Sequence, residues 1–165
     1  MLHLMMLTAV SMIALPTHPA QADAQGVAPA PLSAQTREHV RHERFQLVTA
    51  IRGLPLGVRD ELQALFGQPV LTIADPGAPF QATVDVADPS TPGRRLAVAG
   101  CSPDHCLVYY QRGGAAPAWY AALFHWTPAK TRLEAGGLAP ARLTTVDAVR
   151  TALLSGKVTS ATRGW

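Results

Sequence analysis

The chain has few charged and few aromatic residues: 15% are Asp, Glu, Lys or Arg, and 6% are Phe, Trp or Tyr. Its net charge of +3 is not concentrated in a stripe of Lys and Arg, and no aromatic residues are interleaved with such a stripe. Because proteins that bind nucleic acids normally have these features, the composition indicates no nucleic-acid partner. The sequence also lacks a glycine-rich phosphate-binding loop and a ligand set with metal spacing, so it predicts no cofactor and no metal.

Long apolar runs are also missing. The marked apolar run, Leu4–Leu15, is shorter than the roughly 20 residues of a membrane-spanning helix, and no Lys or Arg flanks it. Small residues follow at Ala20–Ala22, which is typical of a signal peptide over residues 1–22, cleaved after Ala22 or Ala24. No cysteine follows the run to accept a lipid. We therefore expect a protein exported to the periplasm without a membrane anchor.

Beyond the expected cleavage site, the chain divides into a short linker and one domain. Residues 23–32 are rich in Pro and Ala and offer little to bury, so we expect a flexible linker. The remainder, residues 33–165, has the usual size of a single domain with one core.

Helical spacing of apolar residues occurs in three segments, each with a start or stop signal. The predicted helices are Ser33 to about Arg52, stopped by Gly53; Val58–Phe66, stopped by Gly67; and Val146–Ser155, with Thr144 as N-cap and Gly156 as stop.

Between the second and third helices, the apolar pattern changes to strand-like alternation and β-branched or aromatic runs. The predicted strands are Gln81–Ala87, Arg95–Gly100, Leu107–Gln111 and Trp119–Trp126, with turns at 88–93 and 112–117. This order predicts the α+β class: an antiparallel meander of about five strands flanked by helices that cover one sheet face. A loop closed by a disulfide is expected to project between two strands.

That loop contains the only two cysteines, Cys101 and Cys106, in the sequence CSPDHC. In an exported protein, two thiols normally form a disulfide, so we expect these two to be bonded to each other. A bond that closes so short a loop contributes only about 2 kcal/mol in the chain-entropy model. The disulfide is therefore better suited to stiffening the loop than to holding the domain together.

The same residues allow other interpretations. In an enzyme, Cys106 would be the nucleophile and His105 or His125 the base, but this needs a free thiol, which export disfavours. A metal site would use Cys101, Asp104, His105 and Cys106, which lie too close together for easy tetrahedral coordination. The simplest alternative is a stapled hairpin whose Asp104 accepts backbone hydrogen bonds while His105 is exposed.

A second candidate for metal binding is the segment with Glu38, His39, His42 and Glu43 on the first predicted helix. No third ligand follows at a defined spacing, so a solvated helix face is the favoured interpretation.

The loop resembles that of the periplasmic inhibitors of vertebrate lysozyme, the Ivy family, whose signature is Cys-Lys-Pro-His-Asp-Cys at a strand-to-strand turn. The matching positions are Cys101, Pro103 and Cys106. Ser102 stands where the family has Lys, and Asp104–His105 reverses the family's His-Asp. Outside the loop, the resemblance covers Phe45, Leu54–Pro55, Val58 and Leu123–Phe124.

The resemblance implies an inhibitor rather than an enzyme, whose loop plugs the cleft of a lysozyme. Given the net charge of +3, a lytic transglycosylase of the same envelope would fit the charge and the compartment equally well. Its inhibitory contact would be the loop made of Cys101, Ser102, Pro103, Asp104, His105 and Cys106. Because some members of the family are dimers, a homodimer is a second partner to test. The alternative is an Ivy-like envelope domain that keeps the fold without inhibiting lysozyme.

If the loop enters the cleft of a glycosidase, one of its residues has to contact the catalytic carboxylates of that enzyme. A retaining glycosidase has two of them about 5 Å apart, one protonated and one ionised. An imidazole can contact both because its two nitrogens lie on opposite sides of the ring. We therefore expect His105 to enter the cleft, since Asp104 would be repelled by an ionised carboxylate.

Overall fold

The computed structural model describes residues 32–84, 90–161 and 165. The expected signal peptide, residues 1–22, and nearly all of the expected linker, 23–32, lie outside the described residues. Within the described ranges, no helix combines the length and the apolar character needed to cross a membrane.

An antiparallel sheet of six strands forms the centre of the fold, and its strands lie side by side in chain order. The strands are β1 (Gln46–Val48), β2 (Arg94–Cys101), β3 (His105–Arg112), β4 (Ala118–Thr127), β5 (Lys130–Leu138) and β6 (Thr159–Ser160). Within the described residues, three α-helices accompany them: α1 (Ala34–His42), α2 (Leu56–Leu65) and α3 (Val146–Leu154). The predicted α+β class and the meander are confirmed, with six strands instead of about five.

Both faces of the sheet are covered, not the one face that we expected. Successive residues of a strand point to opposite faces, so Tyr109 of β3 packs with the core under α1 and α3, while Tyr110 packs with the core under α2. Val40 of α1 and Leu62 of α2 are fully buried on these two sides. The central strands therefore have apolar residues on both faces.

The first helix is shorter than predicted. It begins at the predicted cap, Ser33, whose side chain accepts a hydrogen bond from Thr36, but it ends at His42. Residues of the predicted helix instead form β1, which pairs with the end of β2, and Leu47 is 67% exposed. Pairing with the sheet has overridden the helical spacing of this segment, as tertiary contacts often do.

The other two helices are confirmed with small shifts at their ends. α2 is followed by Gly67 in the left-handed conformation (φ 62°), which glycine adopts without strain. The N-cap of α3 is Thr145 and not Thr144, because the Thr145 hydroxyl accepts the hydrogen bond from Ala148 N. Gly156 (φ 74°) stops α3 as predicted.

One predicted strand is wrong where it can be checked. Residues 81–84 form no strand, and Gln81 N donates instead to Pro92 O at 2.9 Å; residues 85–87 lie outside the described part. Conversely, β5 and β6 were not predicted. Two glycines interrupt the apolar pattern of β5, and a Cβ at Gly136 would lie 2.6 Å from Ala121 O, so close strand packing explains this glycine.

Candidate functional site

The loop CSPDHC is a tight turn closed at its base. The predicted disulfide joins Cys101 at the end of β2 to Cys106 in β3, with their Cα atoms 4.1 Å apart. Both of the chain's cysteines are therefore oxidised. The thiol nucleophile and the thiolate metal ligands of the alternative interpretations are not available in this state.

Inside the loop, Ser102 organises the turn. Its hydroxyl accepts hydrogen bonds from the backbone N–H groups of Asp104 and His105, and its own N–H donates to His105 O at 2.7 Å. The side chain that supports the turn is thus Ser102, where we had considered Asp104 for this role.

A second set of hydrogen bonds fixes the loop to β4. The indole N–H of Trp126 donates to Ser102 O at 3.1 Å, and the backbone N–H of Trp126 donates to Asp104 O at 2.9 Å. Pro103 is exposed and the Asp104 side chain is 50% exposed, whereas Ser102 is buried. The loop therefore offers Pro103 and Asp104 as its outer surface.

His105 does not belong to that surface, which corrects our expectation that it would enter a cleft. Its side chain is only 4% exposed. Its Nδ1 lies 2.9 Å from Glu43 Oε1, and its Nε2 lies 3.2 Å from Glu134 Oε2. Because both ring nitrogens already have carboxylate partners inside the protein, His105 is not free to contact the carboxylates of another protein.

Glu43 and Glu134 reach His105 from opposite sides. Glu43 caps the C-terminus of α1, and its main-chain oxygen accepts a hydrogen bond from Arg150 of α3 at 2.8 Å. Glu134 lies on β5 and forms an ion pair with Arg132. Their side chains are 8% and 11% exposed, so the imidazole lies between two largely buried acids.

The rim of this cluster consists of exposed or half-exposed polar side chains. His39 Nε2 lies 3.0 Å from Glu43 Oε1 and 3.2 Å from Asp104 Oδ2, which connects α1 to the loop. His125 of β4 packs edge-to-face on His105 with ring centroids 5.3 Å apart. Three histidines from three elements therefore meet beside the loop.

His42 is separate from this cluster although it lies on the same helix. It contacts Glu38, and this hydrogen bond, together with the charge of Arg41, lowers the pKa of Glu38 below its usual value. The sequence had suggested His39 and His42 as a pair. The structure instead associates His39 with His105, which is distant in sequence.

A groove lies on the other side of the loop. The loop, Trp126, β1 and the residues that follow β1 line it, and its exposed side chains include Arg44, Leu47, Arg52 and Leu56. The loop thus separates an acid–histidine cluster from a groove with apolar and basic walls.

The sequence did not identify Glu134 as a site residue. It lies between Leu133 and Ala135, whose apolar side chains alternate with it as in a strand. Recognising β5 from this alternation would have placed Glu134 on a face of the sheet, but not beside His105.

Comparisons with known proteins give no match to a family model, to a curated protein or to a solved structure.

Proposed function

We propose that this protein is a periplasmic, Ivy-type inhibitor of a peptidoglycan-cleaving glycosidase and that the loop 101–106 plugs the enzyme's cleft. The observation that carries the proposal is the exposed tip Pro103–Asp104, which the disulfide, Ser102 and Trp126 hold in one conformation. A rigid tip loses little conformational entropy when it binds, and this favours tight docking.

Because His105 is buried, Asp104 and His39 are the polar side chains that would contact the enzyme. Asp104 can accept a hydrogen bond from the protonated catalytic acid, and His39, which is 52% exposed, can donate to the ionised carboxylate. The two side chains are already 3.2 Å apart. Together, Asp104 and His39 would contact both catalytic carboxylates, as we first expected of the His105 imidazole alone.

The charge of the chain bears on the choice of target. Animal lysozymes are generally basic, and a partner with net charge +3 gains no long-range attraction to them. A lytic transglycosylase of the same envelope would fit the charge and the compartment equally well.

The burial of His105 favours a second candidate, an Ivy-like domain that binds an envelope protein without inhibiting it. Such a domain would retain the fold and the stapled loop but would not present the family's histidine. A pull-down with the purified exported chain separates the two candidates, since the second predicts capture without inhibition.

Inhibition constants against one animal lysozyme and one bacterial lytic transglycosylase test the inhibitor directly. We expect inhibition of at least one enzyme and a loss of roughly 2 to 4 kcal/mol for Asp104→Ala, as for truncation of a buried interface anchor. The matched control is Asp60→Ala, which removes an exposed carboxylate on α2. The inhibitor proposal fails if the wild type inhibits neither enzyme, and the plug model fails if Asp104→Ala inhibits as strongly as Asp60→Ala.

A further inference from the structure

We propose that His39, Glu43 and His105 form a zinc-binding site, whose test does not depend on the proposed inhibition although both proposals use His39. α1 supplies His39, its C-cap supplies Glu43, and β3 supplies His105. Two imidazoles and one carboxylate make up a ligand set that zinc uses when its fourth position is left open.

The distances suit one small ion. Glu43 Oε1 lies 3.0 Å from His39 Nε2 and 2.9 Å from His105 Nδ1, and the three ligand atoms are all within 4.8 Å of one another. Ligand atoms at tetrahedral zinc are about 3.3 Å apart, given bonds of about 2.0–2.1 Å. Two of the three separations are therefore slightly shorter than those at tetrahedral zinc, and the third, between the two imidazole nitrogens, is at most 4.8 Å.

An outer partner already orients one ligand. Histidines that bind a metal usually donate the proton of their other ring nitrogen to a carboxylate or a carbonyl group. His105 Nε2 lies 3.2 Å from Glu134 Oε2, and Arg132 holds the other oxygen of the Glu134 carboxylate. This contact directs His105 Nδ1 toward Glu43.

The site is open on one side. His39 is 52% exposed, and Asp104 Oδ2 lies 3.2 Å from His39 Nε2 although it is outside the compact group of three. A water molecule or Asp104 can complete the coordination. Imidazole ligands favour zinc over magnesium or calcium, which prefer oxygen ligands.

Zinc binding also requires each proton on the two histidines to be accounted for. A His105 nitrogen that donates a hydrogen bond to a carboxylate carries a proton. Zinc on Nδ1 would replace that proton, which leaves to solvent, while Nε2 keeps its proton for Glu134. His39 would bind through Nε2 as the neutral tautomer with its proton on Nδ1. Glu43 would thus have the zinc ion as a positive neighbour.

A competing group uses the other nitrogen of His105. His125 and Glu134, together with His105, also have ligand atoms within 4.8 Å of one another. Binding there would free Glu43 and would need His125 instead of His39. Variants of His39 and His125 therefore distinguish the two arrangements.

The test is calorimetric titration of the full exported chain with zinc chloride, after purification without a tag and removal of metal by a chelator. We expect one equivalent to bind. Since loss of an outer partner alone weakens metal binding about 10- to 100-fold, Glu134→Gln should fall in that range and His39→Ala, which removes a ligand, should exceed it.

Matched controls are His42→Ala, which removes an exposed histidine of the same helix, and His125→Ala. Both should bind zinc like the wild type. Zinc should also raise the melting temperature of the wild type and of both controls but not of His39→Ala, because a ligand that binds the folded state stabilises it. Absence of stoichiometric binding, unchanged binding by His39→Ala, or loss of binding by His125→Ala would each overturn the assignment.

Discussion

At the scale of single residues, His105 has the most consequential position in the molecule. Its ring is buried between Glu43 and Glu134, and the three side chains come from different elements. Two largely buried carboxylates are tolerated here because an imidazole lies between them. Removing the imidazole would leave both of them without this partner, which is far more costly than losing a surface contact.

We predict that His105→Ala lowers the free energy of unfolding by about 1 to 3 kcal/mol, because two largely buried carboxylates lose a hydrogen-bond partner while Glu43 keeps His39 and Glu134 keeps Arg132. Urea denaturation in the presence of a chelator measures this without a contribution from metal. His42→Ala, an exposed histidine, should stay within about 0.5 kcal/mol of the wild type. Equal stability of the two variants would show that His105 makes no net contribution.

The tyrosines of β3 allow a second prediction. The Tyr110 hydroxyl makes no hydrogen bond of good geometry among the described residues, although the Arg94 guanidinium lies near it, whereas the Tyr109 hydroxyl donates to Pro140 O at 2.7 Å. Losing an unpaired buried hydroxyl costs little or is favourable, and losing a hydrogen-bonded one costs about 1 kcal/mol. We expect Tyr110→Phe to be neutral or stabilising and Tyr109→Phe to be destabilising by that amount in urea denaturation.

The pH dependence of Tyr110 follows from its burial, which raises the pKa of the phenol far above its usual range. The unfolded chain therefore loses this proton first, near pH 10. The contribution of Tyr110 to the free energy of unfolding is therefore fully present below pH 10 and decreases as the pH rises above it. Tyr110→Phe should reduce this alkaline loss, and equal losses in the two proteins would contradict the assignment.

At the scale of elements, the sheet has positions at which a neighbouring strand leaves no room for a side chain. Gly137 in β5 has φ 153°, and a Cβ there would lie 1.9 Å from Thr159 O of β6. The close approach of these two strands therefore depends on the missing side chain.

We predict that Gly137→Ala destabilises the fold by roughly 1 to 3 kcal/mol, because the variant must strain β5 or separate it from β6. Gly93→Ala is the control, since a Cβ at Gly93 has no atom within 4 Å and its φ is not positive. Thermal and urea unfolding of both variants provide the comparison. A Gly137→Ala protein as stable as Gly93→Ala would mean that this strand pair adapts freely.

At the scale of the whole molecule, the meander places the site. The register of β3, β4 and β5 sets His105 beside His125 and His125 beside Arg132. α1 then crosses this end of the sheet and adds His39 and Glu43. Residues separated by up to about a hundred positions thus become neighbours through strand pairing and helix packing.

The proposed export also concerns the whole molecule, and intact mass tests it. We predict that protein recovered from the periplasm begins at Asp23 or at Gln25, because the small residues of the leader end there. The same protein should accept no alkylating reagent before reduction and two equivalents after it. An uncleaved chain, or two free thiols without reductant, would contradict export or the oxidised loop, respectively.

The sequence by itself determined the class, three helices, the strands around the loop and the disulfide, because local periodicity, stop signals and cysteine count encode them. It could not determine where α1 ends or that Gln46–Val48 is a strand, since these depend on an edge of β2 that becomes available only in the folded sheet. The site was decided by tertiary structure for the same reason. The site exists because three side chains distant in sequence lie close to His105, namely His39, Glu43 and Glu134. Strand register and helix packing set these distances, and the sequence does not show them.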